Sequence, residues 1–163
     1  MGALVYQDRS NEELLHREDN MALIDTETTV IDVASPRHGT TSAPAILLVE
    51  DEVLLRMVTA DHLRALGYMV LEAANASEAI KMLQSTVHID AVLSDIRMPD
   101  ERNGVALARW IKTHRPDLPV VLVSGEEPPS ISPNEIEAFF AKPYYVDDIV
   151  DFIATRLANG PVS

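Results

Sequence analysis

Short apolar segments alternate with helix-like segments five times between residues 45 and 158, and this alternation restricts the fold more than any other feature. The apolar segments are AILLV at 45–49, MVLEA at 69–73, IDAVLSD at 89–95, LPVVLVSG at 118–125 and FFA at 139–141. Strands joined by helical crossovers run parallel, and right-handed crossovers place helices on both faces of the sheet. The sequence therefore predicts a doubly wound α/β domain with a five-stranded parallel sheet.

The segment after the first strand has a helical period from about residue 53 to 66. Five of its residues are expected to share the inward side of the helix: Leu55, Val58, Thr59, Leu63 and Leu66. Gly67 follows directly, and glycine readily takes the left-handed conformation at a helix end. We therefore predict that the first helix stops at Gly67.

Further helices are expected between the later strands. NASEAIKMLQS at 75–85 opens with an Asn or Ser cap and directs Ala79, Ile80 and Leu83 inward. Two more helices are predicted over about 105–114 and 146–157. The prolines of EEPPSISPNEIEA, at 126–138, leave room only for a short helix after Pro133.

A stretch rich in Ser, Thr, Pro and Gly, SPRHGTTSAP at 35–44, separates two parts of different composition. Residues 1–44 hold 3 Lys or Arg against 8 Asp or Glu, and their apolar stripe is too short to form a core. We predict an acidic, disordered N-terminal extension at 1–44, a folded domain at 45–158 and a C-terminal tail at 159–163. Met21 is an alternative start of translation.

The charge of the chain argues against one large class of partner. Its 26 Asp and Glu against 13 Lys and Arg give a net charge of −13, whereas nucleic acid is bound through clustered Lys and Arg. The sequence contains no cysteine, no apolar run long enough to span a membrane and no apolar signal-peptide core. We expect a cytoplasmic protein that binds neither nucleic acid nor membrane.

Polar residues interrupt the strand pattern where strands end. These residues are Glu50, Asp51, Asp95, Ser124 and Lys142. In a doubly wound sheet, the functional site lies beyond the carboxyl ends of the strands. Three carboxylates brought together repel one another, and Mg²⁺ or the ammonium group of Lys142 can offset that repulsion. Asp95 is then a candidate nucleophile toward a phosphoryl group.

Four motifs occur in order, each at the end of a predicted strand: LLVEDE at 47–52, AVLSDIRMP at 91–99, VLVSG at 121–125 and AKPY at 141–144. In order and spacing they resemble the receiver domain of bacterial two-component response regulators. The resemblance covers about residues 45–158. It implies a flavodoxin-like sheet with strand order 2-1-3-4-5.

The resemblance also implies a role for each residue of the site. Asp95 would be the phosphoacceptor. The Mg²⁺ ligands would be Glu50, Asp51, Asp95 and the backbone carbonyl of Arg97. Lys142 would form a salt bridge to the phosphoryl group, Ser124 would turn its hydroxyl toward it, and Phe139 would be the switch aromatic that moves inward. The Lys142–Pro143 bond would be cis, a form that is cheap only before proline.

The chain departs from the family pattern in three places. The acidic pair is Glu50 and Asp51 rather than two aspartates. The loop after Asp95 is one residue longer before its NG pair. The 18 positions from Ser124 to Lys142 are fewer than is common. This shortening falls on the fourth helix of the family, which helps many receivers to dock partners or dimerise.

The resemblance implies a phosphorylation-dependent signalling switch rather than a metabolic enzyme. A sensor histidine kinase or phosphotransfer protein would supply the phosphoryl group, and an unknown downstream protein would read the result. Because only NGPVS follows the last helix, no DNA-binding output domain is expected. Two alternatives stay open: a phosphorylation-independent adaptor on the same scaffold, and a Mg²⁺-dependent phosphatase or phosphotransferase, for which DIRMP offers no second acid beside Asp95.

Overall fold

The computed structural model describes residues 4–6, 43–98, 103–125 and 135–160, which contain six strands and four helices. The strands are β1 (Leu4–Tyr6), β2 (Ala45–Val49), β3 (Met69–Ala73), β4 (Ala91–Asp95), β5 (Val120–Ser124) and β6 (Ala138–Ala141). The helices are α1 (Val53–Ala65), α2 (Ala76–Leu83), α3 (Gly104–His114) and α4 (Val146–Asn159). The short helix expected after Pro133 lies outside the described residues.

Hydrogen bonding orders the sheet β1-β6-β5-β4-β2-β3, and every neighbouring pair is parallel. Counted from Ala45–Val49, the five strands that the sequence predicts lie in the order 2-1-3-4-5. The strand order reverses beside β2, which pairs with both β3 and β4. The expected doubly wound parallel sheet is confirmed.

β1 adds a strand that the sequence analysis does not predict. Its three residues fall in the N-terminal segment expected to be disordered, and they pair parallel with β6, Leu4 opposite Ala138 and Tyr6 opposite Phe140. An outer strand presents unpaired N–H and C=O groups that an extended segment can satisfy. The expectation of disorder therefore does not hold for residues 4–6, while residues 7–42 lie outside the described residues.

Successive residues of a strand face opposite sides of the sheet, so each strand contributes to two cores. One core includes Ile46 and Phe140 of the sheet together with residues of α1 and α4. The other includes Leu47 and Phe139 together with residues of α2 and α3. The two layers of helices follow from this alternation because each apolar strand face needs a cover.

Local signals in the sequence set the ends of several helices. The Asn75 side chain accepts the amide hydrogen of Glu78 at 2.8 Å and caps α2, as predicted. Asn103 caps α3 in the same way through the amide of Ala106, at 3.0 Å. After α1, Gly67 has φ of 92°, a left-handed conformation that side chains disfavour, which confirms the predicted end.

The predicted inward side of α1 is wrong in part. Thr59 and Leu63 are buried, but Val58 is 67% exposed and Leu66 is 44% exposed. Ala60 takes the inward position beside Thr59 and Leu63. The helical period is compatible with more than one rotation about the helix axis, and packing against β2, β3 and α4 selects one of them. Among the described residues, no helix is both long enough and apolar enough to span a bilayer.

Candidate functional site

The parallel register brings the polar strand ends to one edge of the sheet. Asp95 of β4 lies opposite Val123 of β5, and Ser124 lies opposite Ala141 of β6. Lys142 follows Ala141 directly, and its amide donates to the carbonyl oxygen of Ser124 at 2.7 Å. The positions predicted from the sequence at the ends of β4, β5 and β6 are therefore neighbours.

The structure brings the three predicted carboxylates together. Glu50, Asp51 and Asp95 each offer a carboxylate oxygen, and these atoms lie within 4.8 Å of one another. Glu50 is only 4% exposed and Asp95 only 7%. Since charged oxygens repel at such distances and burial removes the water that would screen them, this cluster requires positive charge nearby.

Lys142 supplies one positive charge between two of these acids. Its Nζ atom lies 2.5 Å from Oδ2 of Asp95 and 3.1 Å from Oε2 of Glu50. The Lys142 side chain is itself mostly buried. One lysine therefore faces three carboxylates, and the cluster keeps an excess of negative charge.

Burial and neighbouring charges together shift the pKa values of Glu50 and Lys142. Burial raises the pKa of Glu50 above its ordinary value, Lys142 opposes that rise, and the charge of Asp95 adds to it. Burial by itself lowers the pKa of Lys142, but its hydrogen bond to Asp95 and the two carboxylate charges raise that pKa overall. Lys142 therefore stays protonated and Glu50 is held charged at a cost.

Backbone amides orient the remaining oxygens of the two buried acids. Oδ1 of Asp95 accepts the amide hydrogen of Arg97 at 3.0 Å. Oε1 of Glu50 accepts the amide hydrogen of Glu52 at 3.2 Å. The amide of Arg97 thus touches the site directly, whereas the predicted metal-ligand role of its carbonyl stays a prediction.

Ser124 and Phe139 occupy the places that the sequence assigns to a switch pair. Ser124 is 2% exposed at the end of β5. Phe139 is 4% exposed in β6 and packs in the core with α2 and α3. Phe140, its neighbour, faces the opposite core and contacts Phe152 edge-on, with ring centroids 6.1 Å apart. The aromatic residue proposed for the switch is therefore directed inward in this structure.

The connection after Lys142 packs against α1. The Lys142–Pro143 bond is cis, as expected. Tyr144 follows, and its side chain shares a hydrogen bond with Thr59. Burial raises the pKa of Tyr144, and the charge of Lys142 opposes that rise. The sequence analysis assigned no role to Tyr144, although it stands in the quoted AKPY motif.

The start of α3 lies against the backbone of Asp95. A Cβ atom on Gly104 would overlap the Asp95 carbonyl oxygen and would lie 2.9 Å from its carbonyl carbon. The Gly104 amide also donates to the carbonyl oxygen of Ile96 at 3.0 Å. Only a residue without a side chain fits here, and the NG pair that precedes the helix was the signal for it in the sequence.

Arg56 is a second residue that the sequence analysis missed. It lies in α1, and its guanidinium group donates to the carbonyl oxygen of Glu50 at 2.6 Å. Nothing in the local pattern of α1 separates this arginine from an ordinary surface residue. Its contact becomes visible only when the loop after β2 is placed above the first turn of the helix.

A sequence profile identifies the family to which this arrangement belongs. The profile described as the response regulator receiver domain matches residues 46–154, about two thirds of the chain. The chain belongs to the response regulator receiver domain family. The five-stranded order of this receiver domain is thus the fold that the sequence motifs predicted.

Curated relatives agree with this assignment. The C4-dicarboxylate transport transcriptional regulatory protein DctD of Rhizobium meliloti is 36% identical over 113 residues, which are 67% of this chain and 24% of DctD. Sensor kinase CckA of Brucella abortus is 40% identical over 81 residues, 49% of this chain and 8% of CckA. This receiver domain therefore spans a small part of the length of these relatives.

The response regulator TrrA of Thermotoga maritima, solved in complex with Mg²⁺-BeF, shares the fold. Its structure matches with a TM-score of 0.63 and 24% identity, over 69% of this chain and 97% of the TrrA chain. Receiver domains act in two-component systems, partner with sensor histidine kinases or phosphotransfer proteins, and bind Mg²⁺ in an acidic pocket. In this chain, Glu50, Asp51 and Asp95 form an acidic cluster at the carboxyl edge of the sheet.

The donor set of the cluster fits a hard divalent cation. Mg²⁺ prefers oxygen ligands, and three carboxylates offer them within one small volume. Burial is the main cause of the raised pKa of Glu50, and the charge of Asp95 adds to that rise. A cation bound there would relieve the repulsion that a single lysine leaves.

Proposed function

We propose that this receiver domain is a phosphorylation-dependent signalling switch in which Asp95 accepts a phosphoryl group in a Mg²⁺-dependent reaction. The observation that carries the proposal is the contact of Lys142 Nζ with Oδ2 of Asp95 inside a cluster of three carboxylates. A buried aspartate with a lysine at hydrogen-bonding distance is arranged to hold additional negative charge once a cation joins it. An aspartate that only capped a loop would not need either partner.

The donor is a phosphohistidine of a sensor histidine kinase or of a phosphotransfer protein. A carboxylate oxygen of Asp95 attacks phosphorus, the bond between phosphorus and the imidazole nitrogen breaks, and that nitrogen keeps the electron pair and takes a proton. The Arg97 amide and Lys142 hold the Asp95 carboxylate in place for this attack. Glu50, Asp51, Asp95 and the Arg97 carbonyl would hold Mg²⁺, whose charge would offset that of the phosphoryl oxygens.

The new phosphoryl group changes the balance of charge at the strand ends. The phosphoryl group carries about −1.5 to −2 charges and replaces the single negative charge of the Asp95 carboxylate. Because Lys142 already bridges two acids, it is then shared between old and new partners. The Ser124 hydroxyl donates to a phosphoryl oxygen, and Phe139, on the strand that leads to Lys142, couples that event to the surface of β6. An unknown downstream protein recognises this surface.

This receiver domain assists the gain and loss of its own phosphoryl group and has no metabolic substrate. The cytoplasmic location stays a prediction from the sequence.

Intact-mass measurement tests the proposal. The full chain is incubated with Mg²⁺ and acetyl phosphate, beside an EDTA sample, the Asp95→Asn variant and the matched Asp61→Asn variant, which changes an exposed aspartate of α1. We expect a gain of one phosphoryl group in wild type and Asp61→Asn only, and only with Mg²⁺.

An adduct that persists in Asp95→Asn would overturn the assignment of the phosphoacceptor. No adduct on folded wild-type protein, with acetyl phosphate and with phosphorylated kinase domains alike, would favour the phosphorylation-independent adaptor. In that case a downstream partner would bind Asp95→Asn and wild type equally well.

A further inference from the structure

We propose that Arg56 is a positioning residue that holds the loop from which Glu50 and Asp51 project into the metal site. Its Nη1 atom donates to the carbonyl oxygen of Glu50 at 2.6 Å and lies 3.5 Å from that of Asp51. The contact with Glu50 is a short charge-assisted hydrogen bond, and the contact with Asp51 is at the longest distance at which a hydrogen bond still forms. The Arg56 side chain is only 16% exposed, so the group is packed in this position.

The loop between β2 and α1 has few other constraints among the described contacts. Glu52 caps α1 without a side-chain hydrogen bond to the helix. The loop is held at its start by the Glu50 amide, which donates to the Ala73 carbonyl at 3.1 Å, and at its end by the Arg56 amide on the Glu52 carbonyl at 2.9 Å. Between these two points, the Arg56 guanidinium holds the backbone through the carbonyl oxygens of Glu50 and Asp51.

The guanidinium is itself anchored to the sheet. Its Nε atom lies 3.6 Å from Oε2 of Glu72, and Glu72 stands in β3 opposite Leu48 of β2. Arg64 holds the other oxygen of Glu72 through Nη2, at 2.6 Å. The two arginines use different oxygens of Glu72, so Arg56 connects the acid-bearing loop to the sheet through a contact of its own.

Positioning and simple charge predict opposite effects on metal binding. A positive charge near a cation site repels the cation, so removing the charge of Arg56 would by itself strengthen Mg²⁺ binding. Removing the group that holds the ligand-bearing loop weakens binding, since residues that orient metal ligands typically contribute about 10- to 100-fold in affinity. The sign of the change therefore separates the two explanations.

This inference rests on the proposed Mg²⁺-dependent function, and calorimetric titration of the metal-free full chain with Mg²⁺ tests it. We compare wild type with Arg56→Met, Arg56→Lys and the matched control Arg64→Met. Arg64→Met also removes one arginine of α1 that pairs with Glu72, but Arg64 does not touch Glu50 or Asp51 in the described contacts. We expect Arg56→Met to bind Mg²⁺ about tenfold more weakly, Arg64→Met to stay within about twofold of wild type, and Arg56→Lys to lie between them.

Hydrogen exchange of the metal-free proteins gives a second readout that does not depend on the proposed function. Loss of the Arg56 contact is expected to speed exchange of the Glu52 amide, whose acceptor is the Glu50 carboxylate, with no such change in Arg64→Met. Should Arg56→Met fail to fold, as seen by circular dichroism, the comparison is made with Arg56→Lys, which keeps the charge and loses the fork geometry.

Equal or tighter Mg²⁺ binding in Arg56→Met, or unchanged exchange at Glu52, would overturn the role of Arg56. A wild-type chain that binds no Mg²⁺ would instead refute the proposed function, and the exchange data would then decide by themselves whether Arg56 holds the loop.

Discussion

The two edges of the sheet carry charged residues in different ways. At the carboxyl edge, the carboxylates of Glu50, Asp51 and Asp95 lie close together, and Lys142 forms ion pairs with Glu50 and Asp95. At the amino edge, among the described residues, Arg156 pairs with both oxygens of Glu137, at 3.0 and 3.2 Å. Balanced pairs of this kind stabilise a fold without further partners, whereas an unbalanced, buried cluster needs a ligand. The comparison indicates that the carboxyl edge is the functional one.

The amino edge nevertheless has a groove of about 520 Å³, where α3 and α4 end. Its lining includes Asp90, Arg115, Asp117 and Arg156. Asp90 uses one oxygen for the Ala45 amide at 2.7 Å and the other for His88 at 2.8 Å. A concave shape by itself therefore does not mark the site, because Asp90 and Arg156 of this groove already have polar partners.

The largest expected effect separates Lys142 from Arg156. Lys142→Met leaves two buried carboxylates facing each other and should lower the free energy of unfolding by about 3 kcal/mol in metal-free buffer. Arg156→Met removes a partly buried pair and should cost about 1 to 2 kcal/mol. Because Mg²⁺ can replace the missing charge only at the carboxyl edge, it should raise the melting temperature of Lys142→Met more than that of wild type. Thermal unfolding with EDTA measures the loss of stability in each variant, and the same measurement with Mg²⁺ gives the rise in melting temperature.

An Mg²⁺-induced rise in Lys142→Met no larger than that of wild type would contradict this prediction. Arg156→Met serves as the control, since its Mg²⁺-induced rise should equal that of wild type.

A second prediction concerns the packing beneath the acid cluster. Gly104→Ala places a methyl group against the Asp95 carbonyl and should destabilise the fold by about 1 to 3 kcal/mol while displacing Asp95. A methyl group on Gly125, at the same edge, would meet no described atom within 4 Å, so Gly125→Ala is the matched control and should change stability little. Urea unfolding compares the two variants. Equal stability would contradict the prediction, since it would show that α3 can move away from the Asp95 carbonyl without loss of stability.

A third prediction addresses the amino edge, where backbone contacts should matter more than charge pairs. Asp90→Ala removes the acceptor of the Ala45 amide at the start of β2 and should cost about 1 kcal/mol. His88→Ala removes only the exposed ion pair and should stay within about 0.5 kcal/mol of wild type. Urea unfolding near neutral pH resolves this difference, and the reverse ranking would contradict the assignment.

The smallest expected effect is a change in how the free energy of unfolding varies with pH. The pKa of Glu50 in the folded chain lies above its ordinary value of 4.5, chiefly because of burial. A raised pKa means that the stability contributed by Glu50 is complete below the unfolded value and is lost as pH rises through the folded value. Glu50→Gln cannot titrate, so its stability relative to wild type should increase as pH rises from 4.5 toward neutrality.

Denaturant unfolding with EDTA across this pH range follows the difference between the two proteins. A constant difference would show that Glu50 is not held charged at a cost. Its carboxylate would then need no cation, which would remove one contrast between the two edges of the sheet.

Sequence patterns predicted most of the fold because strand and helix signals are local. The apolar segments at 45–49 and 69–73 match β2 and β3 residue for residue, and Asn75 caps α2 as expected. The inward side of α1 was predicted incorrectly at Val58 and Leu66 because tertiary packing selects the rotation of a helix. β1 escaped prediction since three residues carry too little pattern to distinguish a strand from a tail.

The sequence predicted which polar residues form the candidate site and at which strand ends they lie. Glu50, Asp51 and Asp95 converge because parallel strands bring their carboxyl ends to one edge, and the sequence places acids directly after β2 and at the end of β4. Arg56 was missed, since its role depends on a backbone carbonyl at close range, and no residue pattern encodes such a contact. The NG pair pointed to Gly104, but only the structure shows that the Asp95 carbonyl lies against it.

The sequence by itself determined the order of strands and helices, the apolar faces that form two cores, and the presence of acids, a serine and a lysine where strands end. Only the tertiary structure decided that Lys142 Nζ bridges Asp95 and Glu50, which stand 47 and 92 positions away in the chain. Propensity and periodicity act over a few residues, whereas such a contact depends on sheet register and loop conformation together. The charge balance of the site is therefore a property of the folded chain.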